Sequence, residues 1–228
     1  MTIKLVGSSS GSVALDAPAS TTSGANIEFK LPVADGTAGQ VLQTDGSGNL
    51  SWVTSTDDGS WVKLSSTTVS SDVGSLTFSN SITGAFDTYK TYVVTMTSLK
   101  PATDDVTLQM RVVDSNGTYQ ASQYDTVIHA FADGDHGYST QTRWQLIRHG
   151  IGNGTGEDCQ ALFYFSNFEA NKRLRVRGQA VYQSNNGSTQ VVDVGGTVNN
   201  TTAVTGLVFF MSSGDIDSGV FTLYGIKN

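Results

Sequence analysis

Charge is scarce in this chain: of its 228 residues, 14% are Asp, Glu, Lys or Arg, against about 25% in an ordinary soluble domain. Ser, Thr, Asn and Gly supply the polarity instead, which is the composition of strands and turns. Windows that would form helix are missing as well. No stretch sets Ala, Leu, Glu, Lys and Arg at a period of about 3.6 residues, so no helix of consequence is expected. Parallel βαβ packing needs crossover helices and is excluded with them. Basic clusters are also missing, and 13 Lys and Arg against 20 Asp and Glu leave a formal net charge of -7. That balance excludes a sequence-independent nucleic-acid binder, whose affinity rests on clustered cations. There is one cysteine, Cys159, so no internal disulfide forms. It opens the apolar pattern Cys159-Gln160-Ala161-Leu162 and is expected to be a buried small hydrophobe. Neither Met1-Thr2-Ile3-Lys4-Leu5-Val6-Gly7 nor any later window has the apolar run of a signal peptide. None approaches the ~20 apolar residues of a membrane span. The product is therefore expected to fold in the cytoplasm where it is made, without membrane insertion.

The chain is long enough for one ordinary domain and something smaller. Residues 1 to 59 contain short apolar pieces, at 3–6, 13–15, 27–31, 40–42 and 50–53, cut by turn residues. Asp45-Gly46-Ser47-Gly48-Asn49 joins Val41-Leu42 to Leu50-Ser51-Trp52 as a hairpin with a glycine-containing loop. So few large apolar side chains cannot close a core within one copy. Disorder is one reading of such a segment. Shared burial between chains is the other, with Val41, Leu42, Leu50 and Trp52 as the packing residues of a shaft. Residues 54–60 carry no apolar side chain and read as a linker. From Trp61 onward the pieces lengthen. Strands are expected at 61–69, 76–78, 92–97, 106–112, 126–132, 143–148, 159–168, 174–182, 190–194, 205–211 and 219–226, with a turn at Asp114-Ser115-Asn116-Gly117. This spacing predicts an all-β chain: a short N-terminal β shaft or anchor, then an antiparallel, jelly-roll-like β-sandwich over 60–228.

No residues are spaced for catalysis. His129, His136 and His149 have no metal-ligand spacing. Gly150-Ile151-Gly152-Asn153-Gly154-Thr155-Gly156 lacks the Lys-Ser/Thr pair and the following helix of a phosphate loop, and reads as a flexible loop. A glycan hydrolase would need paired carboxylates on a long repeating scaffold, and no repeat is present. Asp133-Gly134-Asp135-His136-Gly137-Tyr138 gathers two carboxylates, an imidazole and an aromatic ring, with an Asp-Gly turn as its plainest reading. As a site, Asp133, Asp135, His136 and Tyr138 suit a sugar, or more weakly a calcium ion held through oxygens. Asp215-Ile216-Asp217 repeats that ambiguity without the ligand count of a calcium loop. Arg173, Arg175 and Arg177 alternate with Leu174 and Val176, so a strand would set three guanidinium groups on one face. Such a stripe reads as a solvated face, or as a surface for an anionic polysaccharide or an acidic neighbouring subunit.

The segment from Leu31-Pro32-Val33-Ala34-Asp35-Gly36 through Gln40-Val41-Leu42 to Asn49-Leu50-Ser51-Trp52 resembles one common in bacteriophage tail fibres and related virion fibres. Ser12-Val13-Ala14-Leu15-Asp16-Ala17-Pro18-Ala19 resembles a companion piece, so the likeness spans roughly residues 11 to 53. The stretch 86–112 and Phe221-Thr222-Leu223-Tyr224-Gly225-Ile226 resemble C-terminal β domains of phage structural proteins. The resemblance implies a non-enzymatic, homotrimeric virion appendage. Residues 1 to 59 would join other virion proteins, and the β head would meet host surface polysaccharide. A head fibre or capsid decoration shares the segment. A carbohydrate-binding module outside a virion is a separate alternative, disfavoured by the stalk motif and by the absence of a signal peptide. A long tail fibre carries an anchoring domain ahead of the stalk, whereas the stalk-like motif here begins close to Met1. Either a short accessory fibre is implied, or residues 1 to about 30 are the anchor.

Overall fold

The computed structural model describes residues 3–6, 12–15, 18–21, 24–54, 60–80, 86, 88–115 and 123–227. Residues 55–59 of the expected linker, Asn116 and Gly117 of the expected turn, and residues 7–11 lie outside the described residues. The chain divides into two compact units, Met1–Asp58 and Gly59–Asn228. Among the described residues no helix is long and apolar enough to cross a membrane.

In the first unit, β1 (Ile3–Val6) pairs antiparallel with β2 (Ser12–Leu15). β3 (Gln40–Thr44) pairs antiparallel with β4 (Leu50–Thr54), setting Leu42 opposite Trp52. The connecting loop closes as its residues dictate. Oδ1 of Asp45 accepts from the backbone N–H of Ser47 at 2.8 Å and of Asn49 at 3.1 Å. Gly46 and Gly48 take positive φ, which their missing side chains allow. The Asn49 amide, then the Ser47 N–H, hold the Asp45 carboxyl below its ordinary pKa. The expected piece at 27–31 is not a strand. It meets Asn49 through one parallel bridge at Lys30, whose N–H donates to the Gly48 carbonyl and whose carbonyl accepts from the Leu50 N–H, each at 2.8 Å. No described side chain between residues 18 and 54 is buried, and Ile27, Phe29, Leu31 and Val33 are all open to solvent.

Twelve strands of the second unit follow in chain order. They are β5 (Trp61–Val69), β6 (Leu76–Ser79), β7 (Thr91–Pro101), β8 (Leu108–Asp114), β9 (Tyr124–Ala130) and β10 (Gly134–Gln141), then β11 (Trp144–Gln145), β12 (Cys159–Ser166), β13 (Arg175–Gln183), β14 (Thr189–Val198), β15 (Val204–Met211) and β16 (Ile216–Ile226). Eight form one sheet in the order β10-β9-β14-β13-β12-β7-β16-β5, and four form another in the order β11-β8-β15-β6. Every paired neighbour is antiparallel. The result is an antiparallel sandwich with eight strands against four, a wider sheet than the eight-stranded jelly roll contains.

Strict alternation builds the core. In β12, Cys159, Ala161, Phe163 and Phe165 are buried, while Gln160, Leu162, Tyr164 and Ser166 face the other way. The inner face of the large sheet and that of the small one share a single cluster including Tyr124, Trp144, Phe165, Phe209 and Phe221. Two tyrosines of the large sheet use their polar ends, one to tie the two layers and the other to hold the segment after β11. The Tyr124 hydroxyl accepts from the backbone N–H of Val112 in the small sheet at 3.0 Å, and the Tyr182 hydroxyl accepts from that of His149 at 3.0 Å. Burial pushes both phenols up to about 12. Cys159 is fully buried, and loss of solvation raises its thiol pKa, as a packing role requires.

Two expectations change. The expected strand at 143–148 shrinks to Trp144–Gln145, and Leu146–Gly150 leaves the sheet. The residues read as a loop at 134–138 form β10 instead, an edge strand paired with β9. Glycine and aspartate disfavour a strand locally, but the open edge of β9 supplies the partner that overrides propensity. The same polar, glycine-rich composition suits an exposed edge, because it gives another chain little to pair with.

Candidate functional site

The six-residue segment beginning at Asp133 divides across the sheet. Asp133 lies in the turn after β9, whereas Asp135 stands opposite His129 on the outer face, with Oδ1 2.7 Å from Nδ1 of that ring. His136 and Tyr138 point inward, opposite Ile128 and Thr126, and Tyr138 packs against the core. The ring and the carboxylate of Asp135 therefore do not converge. Asp133 gathers a different set. Its carboxylate lies 3.1 Å from Nε2 of His136, 3.3 Å from Nε2 of His149 and 3.8 Å from Nε of Arg148. The His136 nitrogen sits off the hydrogen-bonding axis, so that contact is Coulombic. Burial works to raise the Asp133 pKa, but the contacts and charge of His136 and then His149 outweigh it and leave the carboxyl below its ordinary value. This cluster clamps the turn after β9 to Arg148 and His149. Both imidazole Nε2 atoms face the carboxylate, and among the described residues no group of three His, Cys, Asp or Glu side chains is arranged for a metal ion. The Asp215 carbonyl accepts from the Ala102 N–H at 2.9 Å, and the Asp217 carboxylate accepts from Ser218 at 3.0 Å.

The arginine stripe reaches an open surface. Arg173 precedes β13, while Arg175 and Arg177 stand exposed on the outer face of the large sheet with Leu174 and Val176 buried between them. Cross-strand register then assembles a row that no local motif contains. Lys63 of β5 stands opposite Tyr224 of β16, Tyr224 opposite Val93 of β7, Val93 opposite Tyr164 of β12, and Tyr164 opposite Arg177 of β13. Residues opposite one another share a face. Val93 is wholly covered yet lies outside the inner core, so the outer rings cover it. The Arg177 guanidinium carbon lies 5.0 Å from the centre of the Tyr164 ring. Trp61, 41% exposed, packs edge-on to Tyr164 at 6.1 Å and tilted against Tyr224 at 5.5 Å. The row continues from Arg177 through Gly195 and Val127 to Gly137. A Cβ on either glycine would meet nothing within 4 Å, and a hollow of about 560 Å³ lies there.

Two further hollows flank the Tyr164–Arg177 pair. One of about 340 Å³ is lined by Thr91, Ser166 and Arg175, the other of about 400 Å³ by Leu162, Gln179 and Asp193. Carboxylates of the large sheet and its loops, Asp193 in the second hollow included, have partners other than these arginines. Asp193 accepts from Nε2 of Gln179 at 2.6 Å, Asp125 accepts from Asn199 and from the Thr140 N–H, and Glu169 binds Lys90 and Lys172. Among the described residues no carboxylate lies within 4.0 Å of the Arg175 or Arg177 guanidinium groups. The far part of the same face is apolar, with Phe131, Val181 and Val191 around a hollow of about 420 Å³. Sequence reading finds Arg175 and Arg177 through their period of two. It misses Trp61, Lys63, Tyr164 and Tyr224, because their assembly depends on strand order. In the first unit, Val41, Leu42 and Trp52 of the packing set are exposed and Leu50 is half-buried. The chain matches no family model, no curated protein and no solved structure.

Proposed function

We propose that this protein is a homotrimeric bacteriophage virion fibre: residues 1 to 59 assemble three copies and attach to other virion proteins, and the sandwich is the exposed head that adsorbs to host polysaccharide. The observation that carries this reading is the contrast between the two units. The second buries a continuous aromatic and aliphatic core, whereas the described part of the first leaves Ile27, Phe29, Leu31, Val33, Val41, Leu42 and Trp52 exposed. A segment with that many large apolar side chains in water gains by burying them between chains, at roughly 25 cal/mol for each Å² covered. Three copies around one axis supply that cover without any covalent tie. The stalk resemblance at residues 11 to 53 supports the same arrangement.

A head of this kind needs an adhesive surface rather than an enclosed site, because three weak contacts on one stalk multiply through avidity. The outer face of the large sheet offers partly exposed rings, exposed guanidinium groups and shallow hollows in one place. No bound cofactor enters this reading. Adsorption of the purified, full-length protein to host cells tests it. The trimer is expected to bind cells and to compete with phage adsorption. A trimer that binds no cells and instead associates with capsids is a head fibre or decoration protein.

A further inference from the structure

We infer that the aromatic and arginine end of the outer sheet face binds a carboxylate-bearing sugar residue of a polysaccharide, an assignment that rests on the adhesive-head reading above. Three features converge on that ligand. The rings of Trp61, which is exposed, and of Tyr164 and Tyr224, which are half-buried, form a cluster in which Trp61 lies 6.1 Å from Tyr164 and 5.5 Å from Tyr224, and such rings take up the CH face of a pyranose. Arg175 and Arg177 line the hollow beside Tyr164, and Arg177 also lines the hollow on its other side. Both volumes, about 340 and about 400 Å³, fall in the usual ligand range of about 300 to 1,000 Å³. Finally, neither guanidinium has a carboxylate partner among the described residues, in a chain of net charge -7 whose neighbouring acids are already hydrogen-bonded. A guanidinium fork left open beside a ring is matched to a planar carboxylate through two parallel hydrogen bonds.

The position of the groups decides between candidate anions. A bare phosphate would use Arg175 and Arg177 and leave the three rings without a role. A neutral sugar would use the rings and leave the guanidinium groups open. A carboxylated sugar uses both, and Lys63, opposite Tyr224 at the other end of the row, extends the cationic border for a further acidic residue of the same polymer. A second copy of this chain fits the opposite end of the face better, where Val127, Phe131, Val181 and Val191 are exposed and aliphatic or aromatic.

The test uses the full-length protein and titration calorimetry with three acidic oligosaccharides: oligogalacturonate, oligoguluronate and oligosialate. Each is compared with its carboxyl-reduced form, and inorganic phosphate serves as competitor. Wild type is expected to bind at least one acidic oligomer roughly tenfold or more tightly than its reduced form, the scale of a hydrogen bond to a charged group. Added salt should narrow that gap. The double variant R175Q/R177Q is expected to abolish the preference while its near-ultraviolet circular dichroism stays that of wild type, since both side chains are exposed. K63Q is expected to reduce the preference for longer oligomers only. Equal binding of all three acidic oligomers and their reduced forms, an undiminished preference in R175Q/R177Q, or complete displacement by inorganic phosphate would each overturn the assignment. Adsorption to host cells separates the two levels. A protein that adsorbs but shows no carboxylate preference keeps the fibre reading and loses this site. One that shows the preference but never adsorbs keeps the site and loses the fibre reading.

Discussion

Tyr124 is the side chain on which the two layers most plainly depend, because its ring fills the core while its hydroxyl takes the Val112 N–H from the small sheet at 3.0 Å. Tyr124→Phe keeps the ring and strands that donor. The expected loss is about 1 to 3 kcal/mol, the cost of an unsatisfied buried group, read as a lower urea midpoint with an unchanged m-value. No loss would mean that water reaches Val112. Asp133 provides a pH test whose sign follows from its surroundings. Burial alone would raise its pKa, but His136 and His149 lower it below the unfolded value. Its contribution to stability is thus complete above the ordinary aspartate pKa of about 3.9 and is lost as pH falls through the lower folded value. In Asp133→Asn that part of the acid limb should be missing from melting temperatures scanned across the range, and an unaltered limb would show the clamp to be without effect. At this scale the sequence was informative wherever period-two alternation settles burial, as at Cys159, Arg175 and Arg177. It was uninformative at Tyr138, whose inward direction depends on β10 being a strand.

Among the elements, the β3–β4 hairpin carries the most testable packing. The Trp52 indole N–H donates to the Ala34 carbonyl at 3.0 Å, and a Cβ on Gly36 would stand 2.6 Å from Cδ2 of that ring. Only glycine at 36 lets the backbone approach so closely. Gly36→Ala should therefore displace the ring and reproduce the effect of Trp52→Ala. Each is expected to weaken assembly by about 3 kcal/mol, the scale of removing a buried large aromatic, seen as a lower and more concentration-dependent dissociation midpoint. The transition of the sandwich itself should stay where it is. If neither substitution moves the dissociation midpoint, the ring faces solvent in the assembly. Most strands could be read from alternating runs and turn residues, β5 and β15 nearly to their ends. β10 could not, since Gly134, Asp135 and Gly137 resist a strand until β9 offers its edge. The row from Lys63 to Arg177 was hidden for a related reason: its members lie on five strands, and strand order is a property of the whole sheet.

At the scale of the molecule, the account depends on where the apolar surface of the first unit goes. The sandwich buries a core of its own, whereas the set from Ile27 to Trp52 stands exposed. The proposed trimerisation through residues 1 to 59 would account for both features and would give each particle three copies of the arginine and aromatic face. Deleting that segment is expected to leave a folded, monomeric sandwich that loses adhesion through lost avidity rather than through a changed site. The most direct measurement is sedimentation equilibrium of the full-length protein alongside the variant lacking residues 1 to 59. The account predicts a mass of three times 24.1 kDa for the full chain and a monomer for the variant. A full-length monomer, or a trimer that survives the deletion, would contradict it.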